Sequence, residues 1–88
     1  MEAAAWIIDK KPSMIGSDQW ATEVIPNPDP DLTFPVHSEL IPKNGIFNLE
    51  NMIFDEVLAD GEYEFLFIFT PTRFKGGTGS PGRPIAIR

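Results

Sequence analysis

Proline partitions this chain before any other signal does. Pro12 stops the first helical stretch, and Pro26, Pro28 and Pro30 alternate with Asn27 and Asp29. Missing amide protons and fixed φ exclude both a helix and a paired central strand between residues 26 and 30, so an ordered loop or a polyproline excursion is expected there. Pro35 suits the first turn of a short helix over Phe34–Ile41, Pro71 ends an aromatic strand, and Pro81 and Pro84 bracket the approach to the last one. Only short elements fit between these breaks.

Within 88 residues such elements form one small domain, 1–88, with a modest core. The apolar share is 42% and the charged share 23%, which excludes general disorder. No cysteine is present, so a disulfide scaffold and a thiolate metal site are both excluded, and a cytoplasmic location fits. No apolar stretch approaches the roughly 18 residues of a membrane span, and Met1–Trp6 lacks the basic region of a secretory signal. Seven basic against thirteen acidic residues give a net charge of −6. Nucleic acids and anionic membranes are therefore poor partners.

The elements follow from local pattern. Glu2–Lys11 reads as a helix, with three alanines, an apolar face from Trp6, Ile7 and Ile8, and Lys10 and Lys11 at its C-terminus. Ser13–Asp18 reads as a short apolar strand running into a turn. Lys43–Gly45 offers a left-handed turn at Asn44 or Gly45. Ile46–Glu50 alternates as a strand does, and Asp55–Asp60 makes one or two helical turns stopped by Gly61. Glu62–Thr70 ends as a continuous aromatic-rich run, which suits a central strand covered on both faces. Pro84–Ile87 is a closing strand. The mixture is α/β.

Few residues offer chemistry. His37 is the single histidine. Glu50 ends an apolar strand, where desolvating a carboxylate is costly unless a cation, a metal or amide donors receive it. The plain alternatives are a packed or surface histidine, and a glutamate exposed at a strand edge or bonded to the turn after it. Together His37 and Glu50 would ligate Zn²⁺ or Mn²⁺, but two ligands are half a metal centre. Gly76–Ser80 lacks the Lys-Ser/Thr ending of a phosphate-binding loop and is followed by Pro81 and Pro84. It reads as a turn with positive φ at several positions. The two tryptophans and seven phenylalanines are assigned mainly to core packing.

Four pieces, taken in order, resemble the C-terminal part of the cyclase family of metal-dependent hydrolases, the group containing bacterial kynurenine formamidase and isatin hydrolase. They are Ala3-Ala4-Ala5-Trp6 with Gly16-Ser17-Asp18; Phe34-Pro35-Val36-His37 leading to Gly45-Ile46; Leu49-Glu50-Asn51; and Phe65 through Gly76–Pro81 to Pro84-Ile85-Ala86-Ile87. The resemblance covers nearly the whole chain. It implies a mixed-sheet, barrel-like α/β fold, of which this is the C-terminal third, and hydrolysis of amide-type C–N bonds in N-formyl or cyclic substrates. It places His37, as metal ligand and catalytic group, and Glu50, as ligand, at a divalent metal (Zn or Mn). The family's principal motif, His-x-Gly-Thr-His-x-Asp-x-Pro-x-His, has no counterpart here. The resemblance therefore implies an incomplete site, to be completed by a missing N-terminal segment or a complementing chain, with a small-molecule substrate. The alternative is a non-catalytic remnant of the fold that forms homo-oligomers or binds small molecules.

Overall fold

The computed structural model describes residues 1–88 and divides into two compact units, Met1–Ile53 and Phe54–Arg88. The first combines short helices, and the second a single short helix, with a two-stranded sheet, so the α/β expectation is met at this level. Neither sheet closes into a barrel.

In the first unit, α1 spans Glu2–Lys10. It ends as the lysines and Pro12 require: Lys11 turns left-handed (φ 52°) and its N–H donates to Ile8 O at 3.1 Å. Strand β1 (Met14–Gly16) pairs in parallel with β2 (Phe47–Leu49), in the register Met14–Phe47, Ile15–Asn48, Gly16–Leu49. A parallel pair needs a long crossover. Here the crossover carries the proline loop, the short helix α2 (Pro35–Ser38) and a π-helical segment, Glu39–Lys43. The expected single helix over 34–41 is thus divided. Pro42 lies inside the second piece and has no N–H to offer the preceding turn, so the ladder runs one residue wide. Gly45 supplies the left-handed turn (φ 68°), and its N–H and that of Ile46 return to Ile41 O and Leu40 O at 2.9 Å each.

The core is small. Ala4 from α1, Ala21 from the crossover, Leu40 from the π-helical segment and Ile46 before β2 are the buried apolar residues. Leu40 is fully buried. The aromatics do not form the core as expected: Trp6, Trp20 and Phe47 are exposed, and no aromatic residue is buried. In α1 it is the small Ala4 that packs inward, because a two-stranded sheet has too little face to cover an indole.

The second unit contains α3 (Asp55–Asp60), closed by Gly61 at φ 68°, and β3 (Leu66–Ile68) paired antiparallel with β4 (Ile85–Ile87). The ion pair Arg88–Asp60 (2.9 Å) joins the end of the chain to α3. The aromatic run is not a covered central strand. Only three of its residues pair, with one partner strand, and Leu66 and Ile68 are exposed, because this unit supplies neither a second partner strand nor a layer over the sheet. In the glycine loop positive φ is confined to Gly76, rather than occurring at several positions.

Candidate functional site

The site lies in the first unit, where β2 and α2 face each other across residues 22 and 23. Successive side chains on a strand alternate between faces, so Asn48 and Glu50 project to one side of β2 and its extension. The extension is held in place after the strand ends. Ser17 N–H donates to Leu49 O (3.0 Å), Asn51 N–H to Gln19 O (2.9 Å) and Met52 N–H to Ser17 O (3.0 Å). Asn51 adopts φ 56° to make this turn. Glu50 is thereby fixed against the chain it must meet.

The structure brings His37 and Glu50 together. His37 Nε2 lies 3.1 Å from Glu50 Oε1. Each side chain is about one-quarter exposed, so the pair sits at the surface with solvent access. Glu50 Oε1 also accepts from Thr22 N–H (3.1 Å) and from the Asn48 side-chain amide (3.1 Å). Amide donors therefore receive the carboxylate, but from a residue 28 positions upstream and from its own strand. The turn that follows it contributes none.

The histidine's other nitrogen reveals a residue that sequence reasoning did not single out. His37 Nδ1 lies 2.5 Å from Glu23 Oε1. Glu23 also accepts from the backbone N–H groups of Val36 and His37, each at 3.0 Å, and so caps the start of α2 from 13 and 14 residues away. Its side chain is only 3% exposed. Burial alone would push the Glu23 carboxyl up. The hydrogen bond with His37, the two backbone amides and attraction to the imidazole outweigh burial and hold it below the usual carboxylate range. A signal for Glu23 did exist: it stands between Ala21 and Val24-Ile25, the same apolar setting that marked Glu50.

Two further groups shape the site. Phe34 packs edge-on against the imidazole, with ring centroids 5.2 Å apart and planes at 81°. It does so from a left-handed backbone (φ 52°), a conformation that costs a bulky residue on the order of 1–3 kcal/mol. Asn48 directs its amide nitrogen at Thr22 Oγ1 (2.9 Å), Glu50 Oε1 and His37 Nε2 (3.3 Å). Its Oδ1 is buried without a hydrogen-bond partner.

These contacts decide what the imidazole presents. An ionised Glu23 accepts only, so Nδ1 carries hydrogen. In the neutral ring Nε2 is then a lone pair, set beside a carboxylate lone pair. A nitrogen and an oxygen 3.1 Å apart are at hydrogen-bond distance, and the same separation suits neighbouring ligands on one cation at bond lengths of about 2.0–2.2 Å. Neither carboxylate is paired with lysine or arginine, so the site is electron-rich. The donor set fits a divalent metal as far as it goes. It stops at two: Glu23 lies on the far side of the same ring, and the chain has no cluster of three or more His, Cys, Asp or Glu side chains arranged to hold a metal ion.

Comparison with protein-family models, with curated proteins and with solved structures finds no match to this chain. No helix is long and apolar enough to cross a membrane.

Proposed function

We propose that this chain is the C-terminal portion of a cyclase-family, metal-dependent hydrolase acting on formamide or cyclic amide C–N bonds, and that it contributes His37 and Glu50 to a Zn²⁺ or Mn²⁺ centre. The observation that carries the reading is the convergence of Nε2 and Oε1 at 3.1 Å, from residues thirteen apart on different elements. Remaining ligands come from a segment or chain bearing the His-x-Gly-Thr-His-x-Asp-x-Pro-x-His motif, and the barrel-like sheet of the family is completed by the same addition. A divalent cation held there supplies a nucleophile at neutral pH and polarises the substrate carbonyl. The chain's own part is to orient. Thr22 N–H and the Asn48 amide hold Glu50, Phe34 and Glu23 hold His37, and the partly exposed imidazole and carboxylate are within reach of a proton released or required at the scissile C–N bond.

The exposed apolar surface supports the same reading and is also what favours the alternative, a non-catalytic remnant that associates with itself. Trp6, Trp20, Val24, Phe47 and Ile53 of the first unit are all more than 60% exposed. Such surface is normally covered. The deciding experiment mixes the chain with the N-terminal portion of a family member, adds Mn²⁺ or Zn²⁺, and assays N-formylkynurenine and lactam hydrolysis. Turnover that requires both chains and the metal is expected. A stable complex with no turnover on any of these substrates would favour the remnant.

A further inference from the structure

The geometry points to Glu23 as the positioning residue of this site: it fixes the His37 ring with Nδ1 protonated and turned inward, so that Nε2 faces Glu50 as the ligating nitrogen. The consequence for metal binding rests on the proposed cation site. The consequence for the ring itself does not.

Four groups face the imidazole: Glu23 at Nδ1, Asn48 and Glu50 at Nε2, and Phe34 at the ring edge. Glu23 is the closer of the two carboxylates and places hydrogen on Nδ1, while Nε2 faces a donor, the Asn48 amide at 3.3 Å, as well as the acceptor Glu50 at 3.1 Å. Glu23 is an acceptor at 2.5 Å, it is almost fully buried, and it has no freedom to turn away. Both its oxygens are committed, Oε2 to Val36 N–H and Oε1 to His37 N–H and Nδ1. One carboxylate therefore sets the backbone direction of α2 at His37 and the rotation of the same residue's side chain. A neutral imidazole with Nε2 protonated would leave two lone pairs opposed at 2.5 Å on the Glu23 side. With Nδ1 protonated, the Nε2 electron pair faces the Asn48 amide and the Glu50 carboxylate, and it is this pair that a cation bound by Glu50 would share.

The test uses the 88-residue chain labelled with ¹⁵N. Long-range ¹H–¹⁵N correlation at neutral pH reads the protonation of each ring nitrogen, and titration with Zn²⁺ alone reads affinity. In the wild type, a hydrogen on Nδ1 and a far-downfield Nδ1 proton are expected. In Glu23→Gln, an acceptor of the same shape, the downfield proton should move upfield, and Zn²⁺ should bind about 10–100-fold more weakly. A folded wild type with Nδ1 bare and hydrogen on Nε2 overturns the inference without any variant. So does a folded Glu23→Gln chain with ring signals unchanged from wild type. If wild-type chain binds no Zn²⁺ but shows the Nδ1 proton and loses its downfield shift in Glu23→Gln, the positioning role stands and the metal reading fails.

Discussion

Glu23 and Glu50 hold opposite nitrogens of one imidazole, at 2.5 Å and 3.1 Å, although 27 positions separate them in the sequence. The two contacts differ in kind. Glu23 is buried and saturated with donors, while Glu50 is one-quarter exposed. The first behaves as a structural acceptor and the second as an open one. That asymmetry separates the expected effects of substituting each.

Replacing Glu23 should cost stability in a pH-dependent way. Its folded-state pKa is depressed by His37 and the two α2 amides, which outweigh the effect of burial. The unfolded state therefore binds its proton more tightly, and the stabilisation is complete above the unfolded value of about 4.3 and disappears as pH falls through the lower folded value. At pH 7 Glu23→Ala should lose about 2–3 kcal/mol, the worth of hydrogen bonds to a buried charge. Urea unfolding of wild type and Glu23→Gln at successively lower pH should give curves that converge as pH falls through the depressed folded-state value of Glu23. A gap that stays constant with pH would refute the linkage.

Substituting His37 or Glu50 should act on ligand binding more than on folding. His37→Ala removes the one nitrogen donor, and Zn²⁺ binding should fall to the level of an unrelated acidic surface. Glu50→Gln keeps a side chain able to accept from Thr22 N–H while lowering the charge, so a drop of about tenfold or more with little change in unfolding midpoint is expected. Isothermal titration with Zn²⁺ and Mn²⁺ reads both. Glu39→Gln, on the exposed i,i+4 pair with Lys43, is the control. Equal affinity in His37→Ala and wild type would remove the metal reading.

The sequence was most informative where one residue type has one backbone consequence. Pro12, Pro35 and Gly45 placed the end of α1, the start of α2 and the turn before β2 to within a residue or two. Alternation placed β2. The aromatic run misled because apolar composition expresses a demand for cover, and the second unit does not supply that cover around β3. The apolar neighbours of Glu23 mark a carboxylate that needs donors, but not which donors, for a related reason. Its role depends on the crossover folding Thr22 and Glu23 between β2 and α2, a contact across thirteen or more residues that no local pattern encodes. Asn48 carries no local signal, because an asparagine on a short strand gains its role only where its amide meets His37 and Glu50.

Leu40→Ala should be the most damaging single truncation in the first unit. Leu40 is its one fully buried large side chain, in a core otherwise made of Ala4, Ala21 and Ile46. Removing a buried leucine side chain costs about 2–5 kcal/mol, depending on how far the surroundings collapse. Few neighbours are available here to relax into the space. Because the π-helical segment continues α2, His37 should lose its fixed orientation at the same time, and the Nδ1 proton signal should broaden along with loss of the unfolding transition. A change below about 1 kcal/mol would mean that the core lies elsewhere.

The second unit should be the part that depends on a partner. It contains no buried residue, and its sheet is the single pair β3–β4, a size that is marginal in water without a covered face. Phe65, Leu66, Ile68, Phe74, Ile85 and Ile87 are all exposed. At low micromolar concentration the amides of Leu66–Ile68 and Ile85–Ile87 should exchange with solvent much faster than those of Gly45, Ile46 and Phe47, which are bonded around the Leu40 core. Raising the concentration, or adding the proposed complementing chain, should slow exchange at β3 and β4 first, and light scattering should report the accompanying increase in mass. Full protection of both strands in a dilute monomer would show that the apolar run needs no cover, and would leave the second unit without a surface that drives self-association or complementation.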